Sequence, residues 1–273
     1  MRLFAFAVSA LIAFTIPGHA VERDGFQWSA RGAPLSVLRG FHWKGRLAAG
    51  QLIEIKGVNG EIHAEGTSGA DVEIIAHKVA RHGDPGSVGV QLVESAAGVT
   101  VCTVYPAHAG RDACLPGQHG RSAAGNNDVR IDFTVRVPAG VRFVGRTVNG
   151  GITATAIRAD TEAYTVNGPI RLSTSGAAQA RTVNGSIVAA LGNAFWSKTR
   201  EFSTVNGAIE LSLPPAISAD IRATTVNGGI STDFPLTAHS GIIGRRVSAT
   251  LGSGGRQLKL TTVNGSIRLH QKT

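Results

Sequence analysis

Apolar and polar positions alternate with a period of two along much of the chain, and most cleanly just after a recurring Val-Asn-Gly. Ile152 and Ala154 flank Thr153, Ile170 and Leu172 flank Arg171, Ile187 and Ala189 flank Val188, Ile209 and Leu211 flank Glu210, and Ile267 and Leu269 flank Arg268. A weaker copy sets Ile230 and Thr232 around Ser231. This period puts successive side chains on opposite faces of an extended chain, so each stretch predicts a half-buried strand. The first half is β as well but less regular. Residues 128–137 carry Val129, Ile131, Phe133, Val135 and Val137 on one face, and shorter strands are predicted over 51–56, 71–79, 87–93 and 99–105.

The alternating stretches are tied to a repeated hexapeptide. TVNGGI at 147–152 returns as TVNGPI at 165–170, TVNGSI at 182–187, TVNGAI at 204–209, TVNGGI at 225–230 and TVNGSI at 262–267, with an earlier relative, GVNGEI, at 57–62. The asparagines at 149, 167, 184, 206, 227 and 264 are spaced by 18, 17, 22, 21 and 37 residues, so the last interval is expected to hide one degenerate unit. A period near 20 built from turn plus strand is the mark of an all-β solenoid, whose units bury apolar faces only against their neighbours. Asn-Gly is a strong turn signal because both residues tolerate positive φ. The expected structural turn residues are Asn59-Gly60, Asn149-Gly150, Asn167-Gly168, Asn184-Gly185, Asn206-Gly207, Asn227-Gly228 and Asn264-Gly265. In-register stacking would place Asn over Asn and Thr over Thr. Such rows serve either as internal amide ladders or as a flat Thr-x-Asn surface facing solvent.

The organisation read from the sequence has three parts. Residues 1–20 form an export signal: Arg2, an apolar run through Phe14, then Pro17-Gly18 and a small residue at Ala20, after which cleavage is expected. The apolar run is short for a membrane span of about 20 residues. Residues 21–146 form a less regular β cap with a loop at 106–127 rich in Gly, Ala and His, and residues 147–273 form a β-solenoid with rungs of 17–22 residues. In an oxidising compartment the two cysteines, Cys102 and Cys114, are expected to form a disulfide across that loop. Charges at Arg268, His270 and Lys272 are expected to blunt an exposed last strand, and Gly252-Ser253-Gly254-Gly255-Arg256 reads as a hairpin turn.

A formal net charge of +9 favours anionic partners. Basic residues are scattered about one per repeat and aromatics are few, which disfavours nucleic acid. No catalytic constellation emerges. Asp160 and Glu162 are the only close carboxylate pair in the repeat half, the residue after Asn-Gly is Gly, Pro, Ser or Ala in different copies, and the histidines are dispersed. No metal or cofactor is expected.

The T-V-N-G-x-I units, the lead-in Leu52-Ile53-Glu54-Ile55-Lys56-Gly57-Val58-Asn59-Gly60 and the strand ending Val135-Arg136-Val137-Pro138-Ala139-Gly140-Val141 resemble the bacterial family named putative adhesins, over about residues 50–270. The resemblance implies a β-solenoid of the envelope or exterior, periplasmic, at the cell surface or secreted, with no family catalytic residues to carry over. The expected function is non-enzymatic: adhesion or binding of anionic envelope polymers, or of another envelope protein. A structural scaffold role is the alternative, and a polysaccharide-active β-helix enzyme is a weaker one.

Overall fold

The computed structural model describes residues 40–80, 82, 84–106, 114–115, 127–192, 195–234 and 245–272. The export signal and most of the 106–127 loop lie outside the described residues. Twenty strands and one 3-10 turn, Pro85–Ser87, make up the regular structure, with no α-helix among the described residues. The first seven strands are β1 (Gly40–Gly45), β2 (Leu52–Lys56), β3 (Ile62–Thr67), β4 (Val72–Val79), β5 (Gly89–Ser95), β6 (Gly98–Val104) and β7 (Arg130–Pro138). The repeats supply β8 (Arg142–Arg146) and β9 (Ile152–Ile157), β10 (Thr161–Tyr164) and β11 (Ile170–Thr174), β12 (Ala178–Arg181) and β13 (Ile187–Leu191), and β14 (Arg200–Ser203) and β15 (Ile209–Leu213). They continue with β16 (Ala219–Asn227) and β17 (Ile230–Thr232), then β18 (Arg245–Leu251), β19 (Gln257–Asn264) and β20 (Ile267–Gln271).

Each Val-Asn-Gly forms a corner between two strands, and the strands on either side go to different sheets. Two ten-stranded, mostly parallel sheets result, ordered β18-β16-β19-β14-β12-β10-β8-β2-β6-β5 and β1-β4-β7-β3-β9-β11-β13-β15-β20-β17. The alternation read from the sequence sets the register. Ile62, Ile152, Ile170, Ile187, Ile209 and Ile267 are successive partners in one sheet, each at most 1% exposed. The same core takes Ile53, Phe143, Ala163, Ala180, Phe202 and Leu260 from the other sheet. A buried isoleucine contributes about 1.5–3 kcal/mol through removal of its surface from water, so this column is a main source of stability.

The corners carry a second column, and here the structure corrects the reason given for Asn-Gly. None of the seven asparagines has positive φ, and of the corner glycines only Gly60 does, at +132°. These are not hairpin turns. A Cβ on Gly150, Gly168, Gly185, Gly207, Gly265 or Gly228 would lie 1.9–2.2 Å from the glycine carbonyl oxygen of the neighbouring corner. Glycine is required because one backbone presses on the next. That carbonyl accepts the threonine hydroxyl two residues before each Asn: Thr165 Oγ1 to Gly150 O at 2.8 Å, Thr182 to Gly168 at 3.0 Å, Thr204 to Gly185 at 2.9 Å, Thr262 to Gly207 at 2.9 Å and Thr225 to Gly265 at 2.8 Å.

The units do not stack in chain order. The corner of β19 and β20 lies between those of β14–β15 and β16–β17, so the Asn order is 59, 149, 167, 184, 206, 264, 227. Three expectations fall with this. Within the long last interval, the described strand between β17 and β19 is no degenerate parallel rung but β18, which pairs antiparallel with β16. β20 is not an exposed edge over Ile267–Leu269, since β15 and β17 flank it there, so Arg268 protects no edge. Gly252–Arg256 is not a hairpin turn, because β18 and β19 both pair with β16 and not with each other. The turn passes over the start of β16, where Asp220 holds it by accepting from Gly255 N at 2.9 Å and Thr250 Oγ1 at 2.9 Å. Those bonds, the backbone one foremost, pull the Asp220 carboxyl below its ordinary range. At the other end β6 and β7 pair outside β2 and β3, and β4 and β5 add antiparallel strands beyond them.

Two outcomes are expected. Gly185→Ala should destabilise the protein by about 3 kcal/mol or more in urea unfolding, because backbone must move to admit the methyl group. Deleting residues 257–273 removes an interior rung, so it should abolish cooperative thermal unfolding rather than merely shorten the fold.

Candidate functional site

Three surfaces carry chemistry. The first is the repeat corner. The threonines face inward, from 0 to 6% exposed, and the asparagines of the six T-V-N-G copies face solvent. The Thr-x-Asn surface weighed from the sequence therefore does not exist as such. What faces water is Val and Asn, with Val166, Val183, Val205, Val263 and Val226 36–55% exposed. The asparagine side chains also hydrogen-bond one another. Nδ2 of Asn149, Asn167, Asn184, Asn206, Asn264 and Asn227 each donates to Oδ1 of the preceding Asn, every time at 2.8 Å. The ladder leaves each interior amide one donor and one acceptor site for solvent.

The second surface is the outer side of the sheet containing β2, β8 and β10. Glu54, 1% exposed, accepts from Arg146 Nε at 3.0 Å and Thr100 Oγ1 at 3.3 Å, with Lys56 Nζ at 3.6 Å. Burial, aided by the neighbouring Arg146 charge, holds the Lys56 amine below its ordinary value despite Glu54. Arg146 stacks on Tyr164, 4.2 Å from the ring centre. Tyr164 donates to Glu162 at 2.7 Å, and Arg200 spans Asp160 at 3.0 Å and Glu162 at 3.7 Å. The one close carboxylate pair of the repeat half thus clamps an arginine. Cys102 and Cys114 are joined by a disulfide, with Cα atoms 5.8 Å apart. It fastens Cys114 and Leu115 over this face, where the Leu115 carbonyl accepts from Lys56. A 12-residue separation gives such a crosslink a stabilisation of about 3 kcal/mol.

The third surface is a groove of about 440 Å³ where strands following the Asn corners end. A bulge shapes it. Ala156 has φ of 53°, the only positive φ of a non-glycine residue described, and the β9–β11 register shifts there. An L-residue in this region costs on the order of 1 kcal/mol, and such strain concentrates at functional positions. Thr67, Ser68, Ser173, Thr174 and Ser175 line the groove together with Arg158 and Lys272, and no carboxylate side chain does among the described residues. Arg158 Nη2 donates to Thr67 O at 2.6 Å and Lys272 Nζ to Leu191 O at 2.8 Å, which positions both cations at the groove. The sequence offered no sign of this site, because its residues lie as far as 206 positions apart, from Gly66 to Lys272, and only the bulge and the crossed rung order unite them. Elsewhere His270 lies 3.1 Å from Asp233 and 3.4 Å from Glu210. Among the described residues no group of three or more His, Cys, Asp or Glu could hold a metal ion. No described helix is long and apolar enough to cross a membrane.

Comparison with known proteins yields structural similarity alone. No family model matches the chain, and no curated protein does. A "putative cell adhesion protein" from Clostridium sporogenes ATCC 15579 is similar at TM-score 0.43 and 10% identity, over 85% of this chain and 100% of that one. A "putative adhesin" from Bacteroides fragilis NCTC 9343 is similar at TM-score 0.30 and 10% identity, over 85% of this chain and 97% of that one.

The buried face makes a pH prediction. Burial, then the hydrogen bond to Glu162 and its charge, pushes the Tyr164 phenol up to about 12, and burial raises Tyr105 as well. Each raised phenol stabilises the fold fully below the unfolded value near 10, and that contribution is lost as pH rises through the folded value. Neither of the protein's two tyrosines should therefore show its phenolate absorbance near pH 10 while the chain is folded. Urea stability should fall between about pH 10 and 12; an ordinary titration in the folded protein contradicts this.

Proposed function

We propose that this chain is an exported, non-enzymatic β-solenoid module that binds an anionic polymer of the cell envelope, in the manner of an adhesin or attachment domain. Each corner with its two flanking strands is one two-sided rung, and strands β1–β7 continue the same two sheets into the repeats. The observation that carries the reading is the groove at Ala156. Two anchored cations stand among five hydroxyl-bearing residues, with no carboxylate among the described lining residues, a set of donors suited to a sugar chain bearing phosphate or carboxylate groups. The net charge of +9 supports it by drawing such a polymer in. Export from the cytoplasm rests on the signal-like start of the sequence and on the disulfide. The scaffold alternative is favoured by the Asn and Thr ladders, whose hydrogen bonds tie the repeat's most constant residues to one another and to the neighbouring corner.

The test is co-sedimentation of residues 21–273 with purified lipopolysaccharide and with anionic wall polymer, at low and moderate salt. Saturable binding should survive moderate salt and weaken about tenfold or more in the Arg158→Ala/Lys272→Ala double variant, which removes two charge-assisted donors. Binding wholly lost to moderate salt, or unchanged in the double variant, would leave the scaffold role standing.

A further inference from the structure

The seven Asn-Gly pairs have the same sequence but not the same protection. In six of them the glycine amide is tied: Gly60 N donates to Asn149 O at 2.9 Å, Gly150 to Asn167 at 2.9 Å, Gly168 to Asn184 at 2.9 Å, Gly185 to Asn206 at 2.9 Å, Gly207 to Asn264 at 3.0 Å and Gly265 to Asn227 at 3.0 Å. The crossed rung order makes Asn227-Gly228 the outermost corner, so Gly228 N has no following carbonyl to bind among the described residues. Gly228 is also the one exposed corner glycine, and Val226 near it is the most exposed of the corner valines, at 55%. On the side-chain side Asn227 Nδ2 still donates to Asn264 Oδ1, while Asn227 Oδ1 has no further asparagine to accept from.

We propose that Asn227 is a site of spontaneous, site-selective deamidation, and that the ladder shields the other six. The reaction needs no cofactor or oxidant. Gly228 N loses its proton to base and attacks Asn227 Cγ, forming a new C–N bond. The side-chain amide nitrogen leaves as ammonia, and a five-membered succinimide remains. Water then opens one of the two imide carbonyls, giving aspartate or isoaspartate, so the net change is water in and ammonia out. A glycine nitrogen is the least hindered nucleophile for this ring closure because its residue has no Cβ. A nitrogen whose hydrogen is held by a carbonyl must first give up that bond, which is the state of the other six. The product replaces the Asn227 amide donor with a carboxylate facing Asn264 Oδ1. Two acceptors then oppose each other where a 2.8 Å hydrogen bond stood. The last rung of the ladder would open, while the interior rungs keep their own bonds.

The experiment is peptide mapping by mass spectrometry after incubating the full folded chain at mildly alkaline pH, with a parallel sample in denaturant. In the folded sample Asn227 should convert at least about tenfold faster than Asn149, Asn167, Asn184 or Asn206, the ratio expected for releasing one hydrogen bond of about 1.4 kcal/mol. Ammonia should be released, and isoaspartate should appear at position 227. In denaturant all seven should convert at similar rates. Equal rates across the seven in the folded protein would overturn the proposal. So would an intact Asn227 in a folded sample whose denatured twin converts.

Discussion

Everything in the repeat region depends on how closely one corner backbone approaches the next. The carbonyl of each corner glycine lies where the neighbouring glycine would carry its Cβ, and it is also the acceptor for a buried threonine hydroxyl. Three features of the hexapeptide follow from that contact. Glycine is obligatory for space and threonine satisfies a carbonyl that would otherwise be buried without a partner. Asparagine, on the open side, closes a side-chain ladder whose step equals the strand spacing of about 4.8 Å. The isoleucine that follows is the first residue able to turn inward and fill the space between the sheets.

The same repetition creates a problem at each end, since an open parallel stack offers unpaired strands to other molecules. The chain meets it by reversing its stacking direction. At one end β6 and β7 cover β2 and β3 before antiparallel strands are added, and at the other β19 and β20 slip inside β16 and β17 while β18 covers one flank. The last repeat of the sequence is thereby locked between two neighbours. Asp220, at the start of β16, is the residue that holds the crossing loop.

The two sheets differ in what they show the outside. One bears a dense set of ion pairs around Glu54, Arg146 and Arg200, partly covered by the disulfide-anchored segment, which makes it a stabilised wall. The other ends at a bulge where two cations are fixed by backbone carbonyls and, among the described residues, no acid pairs with them. Charge that is already paired has little left to give a ligand, whereas held and unneutralised charge does. That contrast is why the groove, and not the more conspicuous charged wall, is the proposed binding surface.

Local pattern in the sequence determined the strands, their inward faces and the repeat corners, because a two-residue period and a recurring hexapeptide are properties of neighbouring residues. Ile152, Ile170 and Ile187 lie where the alternation places them. The pairing of Cys102 with Cys114 was legible too, since only two cysteines exist. Tertiary structure alone decided why the corner residue is glycine, which of two stacking orders the last repeats take, and that Arg158 and Lys272 share a groove. Each of these depends on contacts between units, and identical corners are interchangeable in a linear reading. Only packing distinguishes Asn227 at the ladder's end from Asn264 inside it.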